Sequence, residues 1–461
     1  MVNDSSRGAA ELAAKGRGDG QYDRRLDDWL TLRARTHAER PAIVAGGEVV
    51  TYAALDARAT AVARRLAALG VGAGDRVATT LPASLAFAEL LHALPRLGAV
   101  LAPVNTMLPA VERARQVEAS GARLVVDESL AGEEADARLR SRADPDETRT
   151  LLFTSGTGGS PRPVALSYRN HATSAVAAAW GLGVSPSDRW LCVLPVFHVG
   201  GLAILLRAAV YGIAAVLCER FDTGEAGAAL ERGDVTLASL VPTMLGRLLD
   251  AGIERPRALR AVLLGGAGAP RELFDRAAEA GLRVIRTYGI TETASQVATA
   301  GPGEAAATPL PGVELRVAAD GEILVRGPMV ARGEVAPDGW LHTGDLGRLD
   351  ASGRLTVDGR RADVIVTGGE KVPARTVEDA LLSHPGVADA AVVGEADPEW
   401  GEAVTAYVVA VGEPPPTAEA LAAHCRSVLA GFEVPKRFHM VSAVPRNAAG
   451  KVDRGRLAGA Q

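Results

Sequence analysis

From residue 27 to about residue 290, helix-length amphipathic stretches alternate with short apolar runs, and this alternation restricts the fold more than any other feature. LDDWLTLRARTHAERP spaces its apolar residues as a helix does, and Pro41 is its expected stop. AIVAGGEVVTY predicts a hairpin with its turn at Gly46-Gly47. Asp56 to Leu69 predicts a helix stopped by Gly70. DRVATTL, AVLAPVN and ARLVVDE are brief apolar runs between helical stretches, and AAVLCER, VTLASLVP, LRAVLLGGA and LRVIRTYG continue the series. Such a pattern predicts an α/β fold with mostly parallel sheets, because helices must cover both faces of a buried parallel sheet.

At 461 residues the chain is too long for one ordinary domain, and two or three are expected. Residues 1–25 are polar and Gly-rich and read as a disordered lead-in. Residues 127–148 are charged and weakly patterned, as in a surface connection. TLLFTS then opens a new strand. From about 310 the pattern changes to short β segments, which predict a small antiparallel unit. A second change near Gly359 divides a large N-terminal domain, 26–359, from a small mobile α+β domain, 360–461. Within the latter, helices are expected from Thr376 to Leu382 and from Thr417 to Leu429.

A net charge of −5 argues against a nucleic-acid partner. Three dispersed cysteines, Cys192, Cys218 and Cys425, form neither a disulfide framework nor a zinc spacing. With no secretory signal and no apolar run long enough to span a membrane, the expected location is the cytoplasm. Self-association into a homo-oligomer is left open.

Residues Thr154, Ser155, Gly156, Thr157, Gly158, Gly159 and Ser160 follow a strand. Backbone amides and hydroxyls in such a loop can cradle phosphate oxygens, and glycine permits close approach. Taken alone, the loop fits a flexible turn equally well, and it lacks the G-x-x-x-x-G-K-[ST] pattern.

Further motifs follow in a fixed order. They are YGITET (Tyr288 to Thr293), GWLHTGD (Gly339 to Asp345), GRRAD (Gly359 to Asp363), TGGE (Thr367 to Glu370) and PRNAAGK (Pro445 to Lys451). With the Gly-rich loop, these resemble the adenylate-forming superfamily of acyl- and aryl-CoA synthetases, peptide-synthetase adenylation domains and luciferases. The resemblance implies ATP-dependent activation of a carboxylate to an acyl-adenylate, then capture by a thiol, with ATP, Mg²⁺ and coenzyme A as partners. It assigns the β- and γ-phosphates to Thr154 through Arg162. Thr291 would touch the α-phosphate, and Glu292 would hold Mg²⁺. Asp345 would accept both ribose hydroxyls, and Arg360 would reach ribose or phosphate. Gly265, Gly266, Ala267, Tyr288 and Gly289 would form the adenine slot. Lys451 would bridge carboxylate, α-phosphate and ribose during adenylation. The small domain would then turn about Ala362, bringing Gly368 and Gly369 in to line the thiol tunnel.

The segments from Arg169 to Ala175 and from Asp188 to Arg207, together with YGITETASQV, are most similar to the o-succinylbenzoate–CoA ligase branch. That substrate is aromatic and carries two carboxylates. His198 would flank the carboxylate that reacts; Arg207, Ser295 and Gln296 would bind the one on the ring. Residue type alone leaves Arg207 equally readable as a surface arginine, whereas a core histidine is the weaker reading of His198. Four positions depart from the family pattern: Gly158, Arg162 and Pro163 replace the usual Thr, Lys and Gly, and Gly200 stands where some relatives have Ser. These changes put triphosphate binding and one ring-carboxylate contact in question. Of 50 Lys and Arg residues only Lys15, Lys371, Lys436 and Lys451 are lysines, and Lys451 falls in a motif.

Overall fold

The computed structural model describes residues 25–155, 161–446 and 452–457; residues 1–24 of the expected lead-in lie outside these. Helix Trp29–Thr36 begins on Asp28, whose carboxylate accepts from the Thr31 amide at 2.7 Å. The helix ends at Thr36, short of Pro41. Proline there opens strand Pro41–Ala45, a position that needs no helix-type N–H. The hairpin turn is where expected, with φ of +55° at Gly46 and +85° at Gly47, values natural only to glycine. The next helix, Tyr52–Ala68, starts earlier than its apolar spacing suggested because Thr51 caps it through the Ala54 amide.

Two sheets form the large N-terminal part. In the nine-stranded sheet the spatial order is Thr308–Pro309, Ala298–Ala300, Val284–Tyr288, Ala261–Leu264, Leu237–Leu240, Arg189–Cys192, Ala214–Leu217, Pro41–Ala45 and Glu48–Thr51. Its central strands, from Val284–Tyr288 to Pro41–Ala45, are parallel, and its margins are antiparallel. The five-stranded sheet runs Leu124–Val126, Arg76–Thr79, Val100–Pro103, Thr148–Ser155, Pro161–Ser167. One apolar core joins the sheets through Leu55 and Val62, Phe87 and Leu91, and Leu202 and Leu206, on three helices. Residues 127–148 are largely irregular as expected, apart from Arg142–Ala143, which pairs with Leu26–Asp27.

The antiparallel unit has four strands, Glu314–Val317, Glu322–Arg326, Leu341–Leu349 and Leu355–Arg360. The change of core falls at the short 3-10 turn Arg361–Asp363, just beyond the expected boundary. After it comes a separate sheet with its own apolar cluster, covered by helices Ala374–Leu382 and Ala418–Val428. The second of these starts one residue late because Thr417 is its cap. The three cysteines are buried and free. Among the described residues no helix is long and apolar enough to cross a membrane.

Polar groups inside the large part make stability depend on pH. His92 and His171 are buried, and Arg149 stands near both. Burial first, then the neighbouring arginines, pulls His92 well below the ordinary histidine range and His171 down to about 3. Both stay neutral in the fold, whereas the unfolded chain protonates them near pH 6.5. Stability is therefore intact above pH 6.5 and lost as the pH falls below it. Going from pH 7.5 to 5.5, the pair should cost about 2–3 kcal/mol. Denaturant unfolding at the two pH values measures the loss, and His171→Asn should remove about half of it. An unchanged pH dependence in that variant would refute the assignment.

Candidate active site

Chemistry-bearing residues gather at the carboxyl ends of the central parallel strands, where ligands bind in open α/β sheets. His198 follows strand Arg189–Cys192, Gly265-Gly266-Ala267 follow Ala261–Leu264, and Gly289 follows Val284–Tyr288. A Cβ on Gly265 would stand 2.5 Å from Thr287 Oγ1, so the chain can cross its neighbour there only without a side chain. Gly266 has φ +82°. Gly265 thus lies directly against the strand that ends at Tyr288.

Strand Leu341–Leu349 brings Asp345 to this edge. The Tyr288 hydroxyl donates to Asp345 Oδ2 at 2.8 Å, and Arg360 Nε lies 3.0 Å from Oδ1. Asp345 is only 5% exposed, and burial beside its charge pushes the Tyr288 phenol far up, so that hydroxyl remains a donor. Tyr288, Asp345 and Arg360 are thus one contiguous group. The turn before Asp345 is held by Glu322, which accepts the Gly344 amide at 2.9 Å and pairs with Arg361 at 3.3 Å and with His342 at 3.0 Å. Sequence reasoning missed Glu322, although a glutamate opening a strand of buried apolar residues was a visible signal.

Thr291 and Glu292 lie on a single 3-10 turn. Glu292 Oε1 is 3.4 Å from Arg162 Nη2, and that guanidinium is 2.7 Å from Glu334. Arg162, where the family pattern has Lys, therefore spans two carboxylates. Glu334 was not foreseen. Among the described residues no cluster of three or more His, Cys, Asp or Glu side chains is placed to hold a metal by itself. One or two carboxylates with phosphate oxygens nevertheless match the way Mg²⁺ is usually held.

Thr154 pairs with Arg162 across an antiparallel ladder, and Ser155 with Pro161. Gly156, Thr157, Gly158, Gly159 and Ser160, between these paired strands in sequence, lie outside the described residues, as does Lys451.

Of the substrate candidates, the structure brings Arg207 and Gln296 into contact. Arg207 is 4% exposed, which overturns the surface reading. Its Nη1 donates to Gln296 Oε1 and its Nη2 to Ser174 Oγ, both at 3.1 Å. Among the described residues no carboxylate pairs with it, and burial pulls its pKa down. Ser295 precedes Gln296 in a turn with φ +104°. His198 is half-buried at the start of helix Val199–Tyr211, its ring 4.7 Å from that of Phe197. A Cβ on Gly200 would meet Leu194 Cδ1 at 3.3 Å, so a serine there would need only a small shift.

The junction of the two parts is tied on both sides. Arg361 pairs with Asp320 and Glu322 of the four-stranded sheet; Asp363 pairs with Arg454 of the last part of the chain. Ala362 lies between these opposed anchors. Arg375, on the small part's first helix, occupies the space beside Gly268, 2.8 Å from where a Cβ would be. Gly368 and Gly369 form a two-residue turn with φ +57° and +84°. It packs on Trp400, over which Lys436 Nζ sits at 4.7 Å. The described contacts of this turn are therefore with its own part of the chain and not with the Asp345 group.

Two family profiles match: AMP-binding enzyme over residues 30–333, and AMP-binding enzyme C-terminal domain over 376–451. The chain is 40% identical to the 2-succinylbenzoate–CoA ligase of Geobacillus kaustophilus, covering 94% of this chain and 97% of that one. It also superposes on the o-succinylbenzoate CoA synthetase of Bacillus subtilis in complex with the acyl-adenylate OSB-AMP. There the TM-score is 0.89 at 35% identity, over 95% of this chain and 99% of that one. For the same enzyme with ATP and magnesium ion the TM-score is 0.87 at 36% identity, over 94% and 99%. For a double mutant of it bound with the product analogue OSB-NCoA the TM-score is 0.72 at 35% identity, over 95% and 99%. At equal identity and coverage the chain superposes better on the acyl-adenylate complex than on the product-analogue complex. In sequence and in structure, over nearly its whole length, the chain belongs to the AMP-binding enzyme family, among the 2-succinylbenzoate–CoA ligases.

Proposed function

We propose that this chain joins 2-succinylbenzoate to coenzyme A in two steps. The aliphatic carboxylate attacks the α-phosphorus of ATP, forming a C–O–P bond and releasing pyrophosphate. The thiolate of coenzyme A then attacks the acyl carbon and AMP leaves. Arg207 carries the reading. A buried guanidinium with only neutral partners has donors left for a second carboxylate, and such an anion would offset its desolvation. Simple fatty or benzoic acids have no group to fill that role.

In this reading Asp345 holds the ribose and Tyr288 lines the base slot. Arg360 and Arg162 place positive charge near the phosphates, where it builds up in the transition state. Mg²⁺, held beside Glu292, would supply further neutralisation of phosphate charge. Thr154, Ser155, Gly156, Thr157, Gly158 and Gly159 would contribute loop donors, and Thr291 would meet the α-phosphate. Gly368 and Gly369 would reach the thiol tunnel after the small part turns about Ala362.

AMP release dependent on coenzyme A, measured over a panel of carboxylates, tests the proposal. Turnover should be confined to 2-succinylbenzoate, and activity only with fatty or simple benzoic acids would defeat it. Arg207→Ala should raise the KM for 2-succinylbenzoate at least tenfold and leave the KM for ATP within about twofold. An unchanged KM for the acid would remove Arg207 from the pocket.

A further inference from the structure

Helix Tyr168–Leu182 directly follows the hairpin of strands Thr148–Ser155 and Pro161–Ser167, and its buried face mixes small apolar residues, Ala175, Ala177 and Ala178, with polar ones. Among the polar residues of that face, Asn170 and Ser174 stand one turn apart, and both are buried. Asn170 Nδ2 donates to the carbonyls of Pro328 and Val330, each at 2.9 Å. Ala331, the next residue, donates its amide to the Glu292 carbonyl at 2.8 Å. The Ser174 hydroxyl donates to the Ala294 carbonyl at 2.7 Å and accepts from Arg207 Nη2 at 3.1 Å. Its single proton is committed to Ala294, so its lone pairs face the guanidinium.

We propose that Ser174 is a positioning residue that sets substrate specificity: it fixes Arg207 against the turn carrying Ser295 and Gln296, so that the guanidinium meets a ring carboxylate. This rests on the functional reading above. Arg207 is gripped on one side by Gln296 and on the other by Ser174. Without both, a long side chain with several rotatable bonds has no unique direction. Ala294 and Ser295 have φ of +50° and +104°, an uncommon conformation that surrounding contacts must hold. The Ser174 bond to the Ala294 carbonyl is one such contact. A single hydroxyl thus couples the shape of the turn to the aim of the cation.

The test compares 2-succinylbenzoate with 4-oxo-4-phenylbutanoate, which has the same reacting arm and no ring carboxylate. In Ser174→Ala the ratio of kcat/KM for the two acids should fall about tenfold, because the dicarboxylic acid alone acquires a higher KM, with the KM for ATP unchanged. Ser174→Thr, which keeps the hydroxyl, should hold the ratio near the wild-type value. If the alanine variant is insoluble, Ser174→Cys serves in its place, since a thiol is a weak donor and acceptor, and its ratio should fall in the same direction. An equal loss with both acids, or an unchanged ratio, overturns the role of Ser174 and leaves the proposed function standing. Failure of the wild-type protein to make a thioester from 2-succinylbenzoate overturns both.

Discussion

Lys451→Ala should lower the rate of acyl-adenylate formation at least about a hundredfold, yet leave thioester formation from supplied acyl-adenylate within a few-fold of wild type. The asymmetry comes from where the lysine is attached. Arg446 and Val452 bridge the two ends of its segment, and the Asp453 amide bonds to the Pro445 carbonyl at 2.8 Å. These flanks are fastened to the small part of the chain: Arg446 pairs with Asp389, and Arg454 with Asp363 and Glu378. In the proposed turn of that part about Ala362, Lys451 would therefore travel with it. A group so carried acts in only one of two arrangements. Pyrophosphate release reports the first half-reaction, and thioester formation from synthetic acyl-adenylate reports the second. Equal losses in both would contradict alternation of the small part.

Lysine is suited to that task for a physical reason. Its ammonium is a compact charge with three donors on a flexible stem, whereas a guanidinium is a planar fork. The chain uses arginine almost everywhere, including Arg162 in the phosphate hairpin, where the guanidinium reaches both Glu292 and Glu334. Bridging two carboxylates suits a fork. Contact with three unlike oxygens on carboxylate, phosphate and ribose suits a point charge.

What could be read from the residues was mainly what repeats. Alternating apolar runs and helical spacing reveal α/β layering because burial imposes a period, and the Gly46-Gly47 turn is legible because few other residues tolerate its φ values. Helix starts were misjudged where caps decided them, as at Thr51 and Thr417, since a capping hydroxyl adds nothing to apolar periodicity. The motifs located Tyr288, Asp345 and Arg360 separately, and the structure brings them within hydrogen-bonding distance. Arg207 could not be resolved from its surroundings in sequence: an arginine in an apolar helix can face inward or outward, and only packing shows that it faces inward. Ser174 and Glu322 escaped notice because their roles are to hold other residues, and such roles are set by distance in space. The weak signal for Ser174 was its spacing from Asn170, one helical turn away on the same buried face.

Gly289→Ala should abolish both half-reactions, a signature opposite to that of Lys451→Ala. Strand Val284–Tyr288 ends at this glycine, and the chain doubles back through residues 290–297 to pair as strand Ala298–Ala300. The return is so tight that a Cβ on Gly289 would lie 1.7 Å from the Ser295 carbonyl oxygen and 2.8 Å from Gln296 Cα. Both obstacles are backbone and cannot rotate away. Nor can the turn shift freely: the Thr293 hydroxyl is bonded to the Ile290 carbonyl, Ala294 is held by Ser174 and Glu292 by Ala331. A methyl group must therefore displace the segment that carries Thr291, Glu292, Ser295 and Gln296 together. Such overpacking costs about 1–3 kcal/mol in stability, and a displacement of about 1 Å at reacting groups costs about a hundredfold in rate. Gly72→Ala is the control, because nothing lies within 4 Å of its would-be Cβ and its φ is ordinary. Thermal unfolding and the two half-reaction assays, run on both variants, separate local distortion from global loss. A Gly289→Ala protein with wild-type rates would mean that the return can widen without moving the catalytic side chains, and the close approach at Gly289 would then be incidental to catalysis.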